Sequence, residues 1–459
     1  MKNLVFIIAI LAAMFAALTT QAQHHHHAPV DTVLKKTTKP MPADSAKHKQ
    51  HKHDTTKHKM THSFSLSLPM NRNGSGTSWL PDNTPMYAYM LHGKNGWNYM
   101  LHGNLYVRNT WQNFSNNYKR GGKQFDAPNW LMGMAQKQVG KNGLLSFNAM
   151  LSADRLVMAG NGYPLLYQSG EAWDGSPLVD RQHPHDLFAA LSVAYTHRIT
   201  NDIDITGYAG YPGEPALGPT AFMHRISSLS NPDAPLGHHW QDATHIVFGV
   251  ATLGVRYKWL KAEGSLLTGR EPDENRYDFD KPKFDSYSFR LSANPTKSIS
   301  MQVSYGYIKS PEQLSPDEDV RRTTASVIHS TKMGNAYINS ALVWGYNNAG
   351  HGHTEHSVLA ESSIAKGKNT VYGRYEFVEK SAHELQLEDV LGHKAIEPIH
   401  SLSIGYSRTL FTIAKTNIAV GGQMGVGMQS KKLDAIYGKM PLSGQVYLRI
   451  TPAMLKMGM

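Results

Sequence analysis

The stretch GHHWQDATH, at 237–245, holds three histidines, one aspartate and one tryptophan in nine residues. Imidazole nitrogens and carboxylate oxygens bind divalent first-row transition metals, and a histidine beside an aspartate can also act as a general base. His238 and Asp242 are four residues apart, and Asp242 and His245 are three apart, so a helical turn brings all three to one face. A straight strand does not, because His239 and His245 then point away from His238. A metal site here therefore requires a helical turn.

A second group of the same residue types lies upstream in DRQHPHDLF, at 180–188. Pro184 interrupts any strand at this point, so alternation along the chain does not fix where the two histidines point. Each group ends a long connection between predicted strands, and the two connections are expected to rise from neighbouring places on one rim. The candidate metal ligands on these loops are His183, His185, Asp186, His238, His239, Asp242 and His245.

Other interpretations of these residues stay open. Loops that fold inward bury polar backbone groups, and histidine, aspartate and arginine side chains are suitable partners for them. The cluster can therefore be a packing network without a ligand, or a site that recognises another solute. A membrane-embedded hydrolase is a further alternative, although the sequence contains no G-x-S-x-G nucleophile elbow.

Three motifs give the chain a family resemblance. DRQHPHDLF, GEPALGPTAFMHR and PLGHHWQDATH, within residues 180–254, resemble an uncharacterised family of Gram-negative outer-membrane proteins. The resemblance implies a conserved pair of external loops and a connection with metals, since members of that family tend to be encoded near heavy-metal resistance systems. It implies no reaction and no catalytic residue.

The elements that must position these loops show a period of two residues. In SISMQVSYGYI, Ile299, Met301, Val303 and Tyr305 alternate with small or polar residues. Such alternation is typical of a strand with one apolar and one polar face. In a membrane barrel the apolar face points outward to lipid, and the polar face lines the lumen.

The connections distinguish a membrane barrel from a soluble sandwich, because short and long connections alternate strictly. Short turns are expected at 140–143, 200–202, 260–264, 294–298, 331–335, 365–369 and 412–416. Long connections are expected near 113–125, 154–184, 212–242, 271–284, 310–320, 347–354, 380–399 and 428–441. Short periplasmic turns and long external loops are a feature of outer-membrane barrels. The fold class is therefore all-β, a transmembrane antiparallel barrel of about 16 strands.

The N-terminal part has a different composition. Residues 1–22 carry Lys2 and an apolar run from Leu4 to Leu18, which predicts a secretory signal peptide. Residues 23–85 are expected to form a disordered periplasmic His/Lys-rich tail with a lead-in to the barrel, which takes up 86–459. Weak metal binding is expected in the tail at His24, His25, His26, His27, His48, His51, His53 and His58.

Composition narrows the functions further. The chain has no cysteine among its 459 residues, which excludes disulfides, thiolate metal sites and cysteine nucleophiles. Much of the net charge of +11 lies in the tail, so the barrel shows no nucleic-acid-binding face. The expected partners are outer-membrane lipid, the barrel-assembly machinery and divalent metal ions, with Cu, Zn or Ni as the metals.

Together these features predict an outer-membrane barrel that is not an enzyme. It would be a porin-like channel or a solute-binding barrel connected with transition-metal homeostasis. The alternative is a surface barrel that does not conduct and whose external loops are packed.

Overall fold

A closed antiparallel barrel of 16 strands forms the body of the protein. The structure is a computed structural model that describes residues 65–349 and 354–455. The predicted signal peptide and the tail histidines lie outside these residues. Among the helices of the described part, none is long and apolar enough to cross a membrane.

The barrel strands are numbered here β1 to β16. They are β1 Trp97–Gln112, β2 Gly122–Asp126 with Asn129–Val139, β3 Gly143–Leu151, β4 Phe188–Arg198, β5 Ile203–Gly210, β6 Val250–Tyr257, β7 Leu260–Leu267, β8 Ser286–Thr296, β9 Ile299–Ile308, β10 Val320–Met333, β11 Ala336–Asn348, β12 Thr354–Lys366, β13 Asn369–Ser381, β14 Ile396–Ile413, β15 Thr416–Gln429 and β16 Leu442–Pro452. Each pairs with its neighbours in sequence, and β16 closes the barrel on β1, from Leu105 opposite Ile450 to Trp111 opposite Gly444.

The remaining elements are short. A strand at Tyr89–His92 pairs antiparallel with the start of β1, and four more lie in the external loops at Tyr163–Pro164, Glu171–Trp173, Ser176–Leu178 and Arg181–Gln182. The α-helices are α1 Asp154–Val157, α2 His238–Gln241, α3 Glu388–Leu391 and α4 Asp434–Tyr437. Single 3₁₀ turns occur at Met70–Arg72, Lys94–Gly96, Phe222–His224, Ala243–His245 and Lys431–Leu433.

The two faces of the wall follow the predicted alternation. In β9, Met301, Val303 and Tyr305 are exposed on the outside, whereas Ser300 and Ser304 are buried on the lumen side. An even-numbered antiparallel barrel with an apolar outer face is the architecture of outer-membrane proteins, because it satisfies every backbone group while showing apolar side chains to lipid. The chain is therefore an outer-membrane β-barrel protein.

One of the expected turns is misplaced. Residues 260–264 belong to β7, and the turn is made by Lys258 and Trp259, with Lys258 at φ +53°. Glu263 instead faces the lumen, where it pairs with Lys261 at 3.1 Å and with Arg290 at 3.1 Å. The charged residues of this stretch therefore belong to the polar lumen face of a strand, and the predicted turn lies one to two residues earlier.

The lumen is filled by two segments of the chain, which we call the plug. Loop B, at 211–249, connects β5 to β6, and residues 65–88 precede the barrel. Loop B is anchored to two separate parts of the wall. Arg225 donates to Glu361 of β12 at 2.8 Å, and Asp233 accepts from Arg108 of β1 at 2.6 Å. Two cavities that remain inside the barrel measure about 50 and 30 Å³, which is room for a few water molecules at most.

The segment at 65–88 packs against the other side of loop B. Arg290 of β8 bridges the two, because it donates to the Thr77 hydroxyl at 2.9 Å and to the Gly218 carbonyl at 3.2 Å. Ser78 and Thr220 also share a hydrogen bond of 2.9 Å. Residues 65–85, which the sequence placed with the tail, thus form part of the barrel's interior.

Candidate functional site

The candidate site lies where loop B meets loop A, the connection at 152–187 between β3 and β4. GHHWQDATH forms the short helix α2 and then a 3₁₀ turn, so the helical turn that a metal site requires is present. Gly345 in the adjacent wall strand permits this packing, because a Cβ there would lie 2.3 Å from the carbonyl oxygen of Trp240. The helical turn places His238 and His245 on the same side of loop B.

Five histidines from the two loops form a closed ring of neighbouring imidazoles, which we call the histidine ring. Each imidazole lies next to the following one, and His239, the fifth, lies next to His183, the first. The centroid distances are 6.3 Å for His183–His185, 5.6 Å for His185–His245, 5.0 Å for His245–His238, 5.4 Å for His238–His239 and 6.2 Å for His239–His183. The structure therefore brings together all five histidines that the sequence singled out in these loops.

Hydrogen bonds at Nδ1 fix the orientation of three of these rings. His185 Nδ1 lies 2.7 Å from Asp154, His238 Nδ1 lies 2.6 Å from Asp242, and His245 Nδ1 lies 2.8 Å from the Asp242 carbonyl oxygen. Oxygen acceptors at these distances favour the tautomer with the proton on Nδ1. Metal-binding histidines are commonly held in this way, with Nε2 left for the metal.

Several Nε2 atoms of the ring are left without a partner. Those of His185, His239 and His245 are buried and have no hydrogen-bond partner among the described residues. A buried polar atom without a partner costs free energy, so each such atom calls for an explanation, such as a bound ion.

A group of three residues at one side of the ring has the spacing of metal ligands. Glu171, His183 and His239, which we call the outer trio, each offer one ligand atom within 4.8 Å of the other two. Glu171 directs one oxygen to His183 Nδ1 at 3.1 Å and the other to Arg276 at 3.2 Å. Because the ligands of a tetrahedral zinc ion at about 2.0–2.1 Å lie roughly 3.3 Å apart, the trio needs only a small closure to bind one.

Burial favours the neutral form of three imidazoles of the histidine ring. Burial lowers the pKa of His183 and His239 well below the usual value, and the positive charge of Arg276 adds to this effect at His183. Burial also lowers the pKa of His245 to about 3. Neutral imidazole is the form that binds metals.

The nearby carboxyl groups divide into two kinds. Burial raises the pKa of Glu171, and burial with the neighbouring charge of Glu171 raises that of Glu271 well above its usual range. Burial also acts to raise the pKa of Asp242, but His238 and Arg225 lower it more strongly, so the pKa lies below its usual range. Asp242 is thus a stable anion, whereas Glu171 and Glu271 lack a full set of positive partners.

An acidic cavity among the external loops is lined in part by Glu171 of the outer trio. It measures about 240 Å³. Five carboxylate side chains line it, namely Glu171, Glu271, Glu274, Glu312 and Glu384. Such a concentration of acidic groups in a cleft raises the local concentration of cations.

Gly170 shapes the wall of the outer trio beside His239. Its φ is +104°, a conformation that favours glycine, and a Cβ on it would lie 2.9 Å from His239 Nδ1. The absence of a side chain at this position therefore lets the chain carrying Glu171 approach the imidazole.

The two aspartates that the sequence named as ligands have other partners. Asp242 accepts from Arg225 and from the Phe222 amide, both at 2.9 Å, in addition to His238. Asp186 pairs with Arg276 at 3.2 Å. Both carboxylates therefore hold neighbouring groups in position. The sequence reasoning missed Glu171 and Asp154, which lie in loop A without any repeat or motif that marks them.

Comparisons with known proteins concern the barrel as a whole. No protein-family model and no curated protein matches the sequence. Solved structures that resemble it include OmpF of Salmonella typhi in complex with daunomycin, with a TM-score of 0.49 and 8% identity over 79% of this chain and 100% of that chain. The anion-selective porin from Comamonas acidovorans has a TM-score of 0.46 and 11% identity over 78% and 99%. A loop L8 deletion mutant of OmpT from Vibrio cholerae has a TM-score of 0.46 and 8% identity over 78% and 100%.

Proposed function

We propose that this outer-membrane barrel binds a divalent first-row transition-metal ion in the outer trio and serves transition-metal homeostasis. The observation that carries the proposal is the convergence of Glu171, His183 and His239 within 4.8 Å, where burial lowers the pKa of both imidazoles. Imidazole suits zinc, copper and nickel, and one carboxylate completes a common ligand set. The acidic cavity, lined in part by Glu171, would bring a cation from the outside to this site.

The filled lumen supports a solute-binding barrel more than an open channel. Loop B contacts the wall at β1 and β12, and these contacts fix it in place. A metal that enters from the outside would therefore be held at the plug.

A surface barrel with packed external loops is the second candidate. Its support is the dense hydrogen bonding of the same residues, since Arg225, Asp242 and Arg276 all have ionic partners. In that case the histidine ring would be a packing device, and the unpartnered Nε2 atoms would have no ligand.

The hydrolase alternative has less support. Among the described residues, no serine hydroxyl hydrogen-bonds to any imidazole of the histidine ring. A hydrolase would turn over ester or phospholipid substrates and lose this activity in His245→Ala. An assay on the purified barrel would detect both results.

Zinc titration of the purified full-length protein, followed by calorimetry, tests the metal proposal. We expect His183→Ala/His239→Ala to lose one binding site, or to bind it roughly a hundredfold more weakly, because two of three ligands are gone. The matched control is His92→Ala/His197→Ala, which removes two exposed histidines that belong neither to the histidine ring nor to the acidic cavity. The tail histidines contribute equally to all three proteins. Identical isotherms for the three would refute the proposal.

A further inference from the structure

A patch of methionines interrupts the polar lumen face of the barrel. Met100 of β1, Met132 and Met134 of β2, and Met150 of β3 are all at most 9% exposed. Met100 lies directly opposite Met134, and Met132 lies directly opposite Met150. Since residues in such pairs have Cβ atoms about 4.5–5.5 Å apart, the thioethers of adjacent strands are close neighbours.

The plug adds more methionines to the same patch. Met70 and Met223 are buried in one cluster with the four wall residues, and Met86 packs against its edge, as does Met90 from the short strand that precedes β1. Elsewhere the lumen face carries charged and hydroxyl side chains, such as Arg290, Ser304 and Glu361. A barrel interior therefore does not require methionine here, and leucine would fill the same volume.

Two imidazoles border this patch. His102 lies directly opposite Met132 on the lumen face, and its Nε2 atom is buried with no hydrogen-bond partner among the described residues. Its ring centroid is 5.5 Å from that of His224, the neighbour of Met223. A cavity of about 30 Å³ is lined by Met132, Met150, Met223, His224 and His245, among others.

We propose that the methionine patch with His102 and His224 is a second metal site, which takes a soft monovalent cation, Cu(I). Thioether sulfur is a neutral, polarisable ligand that selects Cu(I) over harder divalent ions. The chain contains no cysteine, so methionine is its only sulfur ligand. Neutral ligands also suit a single positive charge, which needs less compensation than a divalent ion.

The site goes beyond the divalent site proposed above, and it lies next to it. His245 belongs to the histidine ring and also lines the 30 Å³ cavity beside Met132 and Met150. The imidazoles of the histidine ring are thus direct neighbours of the methionine side chains on the lumen wall.

Copper(I) binding to the purified full-length barrel tests the proposal, by competition with a chromophoric Cu(I) chelator and by copper K-edge absorption spectroscopy. We expect sulfur neighbours around bound copper in the unmodified protein. We expect Met132→Leu/Met150→Leu to lose sulfur neighbours and bind Cu(I) roughly tenfold or more weakly, while its zinc affinity stays unchanged. The control is Met301→Leu/Met424→Leu, which removes two methionines that are 41% and 52% exposed on the outer face.

His102→Gln provides a second variant that leaves every methionine in place. We expect it to lose a nitrogen neighbour of copper and to bind Cu(I) more weakly. The proposal is overturned if bound copper has no sulfur neighbours, or if Met132→Leu/Met150→Leu and His102→Gln both bind Cu(I) as the control does. Loss of zinc binding alone, in His183→Ala/His239→Ala, would bear only on the divalent site.

Discussion

At the scale of single residues, the site depends on how each imidazole is held. Asp154 and Asp242 accept hydrogen bonds at Nδ1 of His185 and His238, so these carboxylates act as positioning groups. Burial keeps His183 and His239 neutral. The protein therefore does not have to remove a proton from these two rings before a metal can bind, which lowers the cost of binding near neutral pH.

The close approach at Gly170 leads to a prediction that removes no ligand. In Gly170→Ala the new methyl group would lie 2.9 Å from His239 Nδ1, so the imidazole must shift and its position relative to the other two ligands changes. We expect zinc affinity to fall roughly tenfold, which calorimetry would measure. Gly175→Ala is the control, since Gly175 also has a positive φ, of +69°, but no atom lies within 4 Å of its added Cβ. Equal affinities of the two variants would contradict the assigned role of Gly170.

The sequence predicted the five histidines of the ring but not all of their partners. His238 and His245 could be placed together because helical spacing is a local property. Glu171 and Asp154 could not, since they reach the site through the irregular path of loop A. The methionine patch could be predicted in part from the sequence. Met132 and Met134 share one face of β2 with Gln136, and this lumen face is expected to be polar.

At the scale of elements, the strands were predictable and the inward fold of the loops was not. A period of two residues fixes which side of β9 or β13 faces lipid, and it needs no knowledge of distant contacts. The path of loop B depends on partners such as Arg108 and Glu361, which lie 125 and 136 residues away from the groups they bind. No local pattern in 211–249 encodes those pairings.

The Arg225 ion pairs are expected to hold loop B against the wall. Arg225 is fully buried and bridges Asp242 at 2.9 Å and Glu361 at 2.8 Å. Arg225→Met would leave buried carboxylates without this partner, at a cost of about 3–5 kcal/mol. We expect faster hydrogen exchange across 211–249, measured by mass spectrometry. In the control, His393→Gln, a solvent-exposed pair with Glu388 is lost, and exchange across 211–249 should stay unchanged. Unchanged exchange in Arg225→Met would show that other contacts hold the loop.

The carboxyl group of Glu214 gives the plug a dependence on pH. Burial raises its pKa from 4.5 to about 8, although Arg290 and the Ser75 hydroxyl act against this. Between pH 4.5 and pH 8 the Glu214 carboxyl is protonated in the folded protein and ionised in the unfolded protein. The contribution of Glu214 to the free energy of unfolding is therefore complete below pH 4.5 and declines as the pH rises towards 8.

Glu214→Gln should remove that decline. Between pH 5 and 8 we expect the free energy of unfolding of the unmodified protein to fall by up to about 1.4 kcal/mol per pH unit more than that of the variant. The variant should therefore be more stable than the unmodified protein at about pH 8. Unfolding in denaturant at several pH values would measure it. Parallel pH profiles for the two proteins would contradict the assignment.

At the scale of the whole molecule, the plug distinguishes this barrel from an open pore. Gly213 and Val247 form an isolated antiparallel bridge with two hydrogen bonds of 2.9 Å at the base of loop B. Because these two residues are adjacent, residues 214–246 can be replaced by a short Gly/Ser linker without separating β5 from β6. We expect the shortened protein to conduct ions in planar bilayers and the unmodified protein to conduct far less. Equal conductance would mean that loop B does not close the lumen.

Anomalous X-ray scattering at the zinc edge, from crystals grown with zinc, would show directly whether the outer trio holds a divalent metal ion. We expect an anomalous peak between Glu171, His183 and His239, with nitrogen ligands at about 2.0–2.1 Å. We also expect the peak to disappear in His183→Ala/His239→Ala. A map with no peak at the histidine ring, from crystals in which zinc is bound elsewhere on the protein, would refute the proposed metal site.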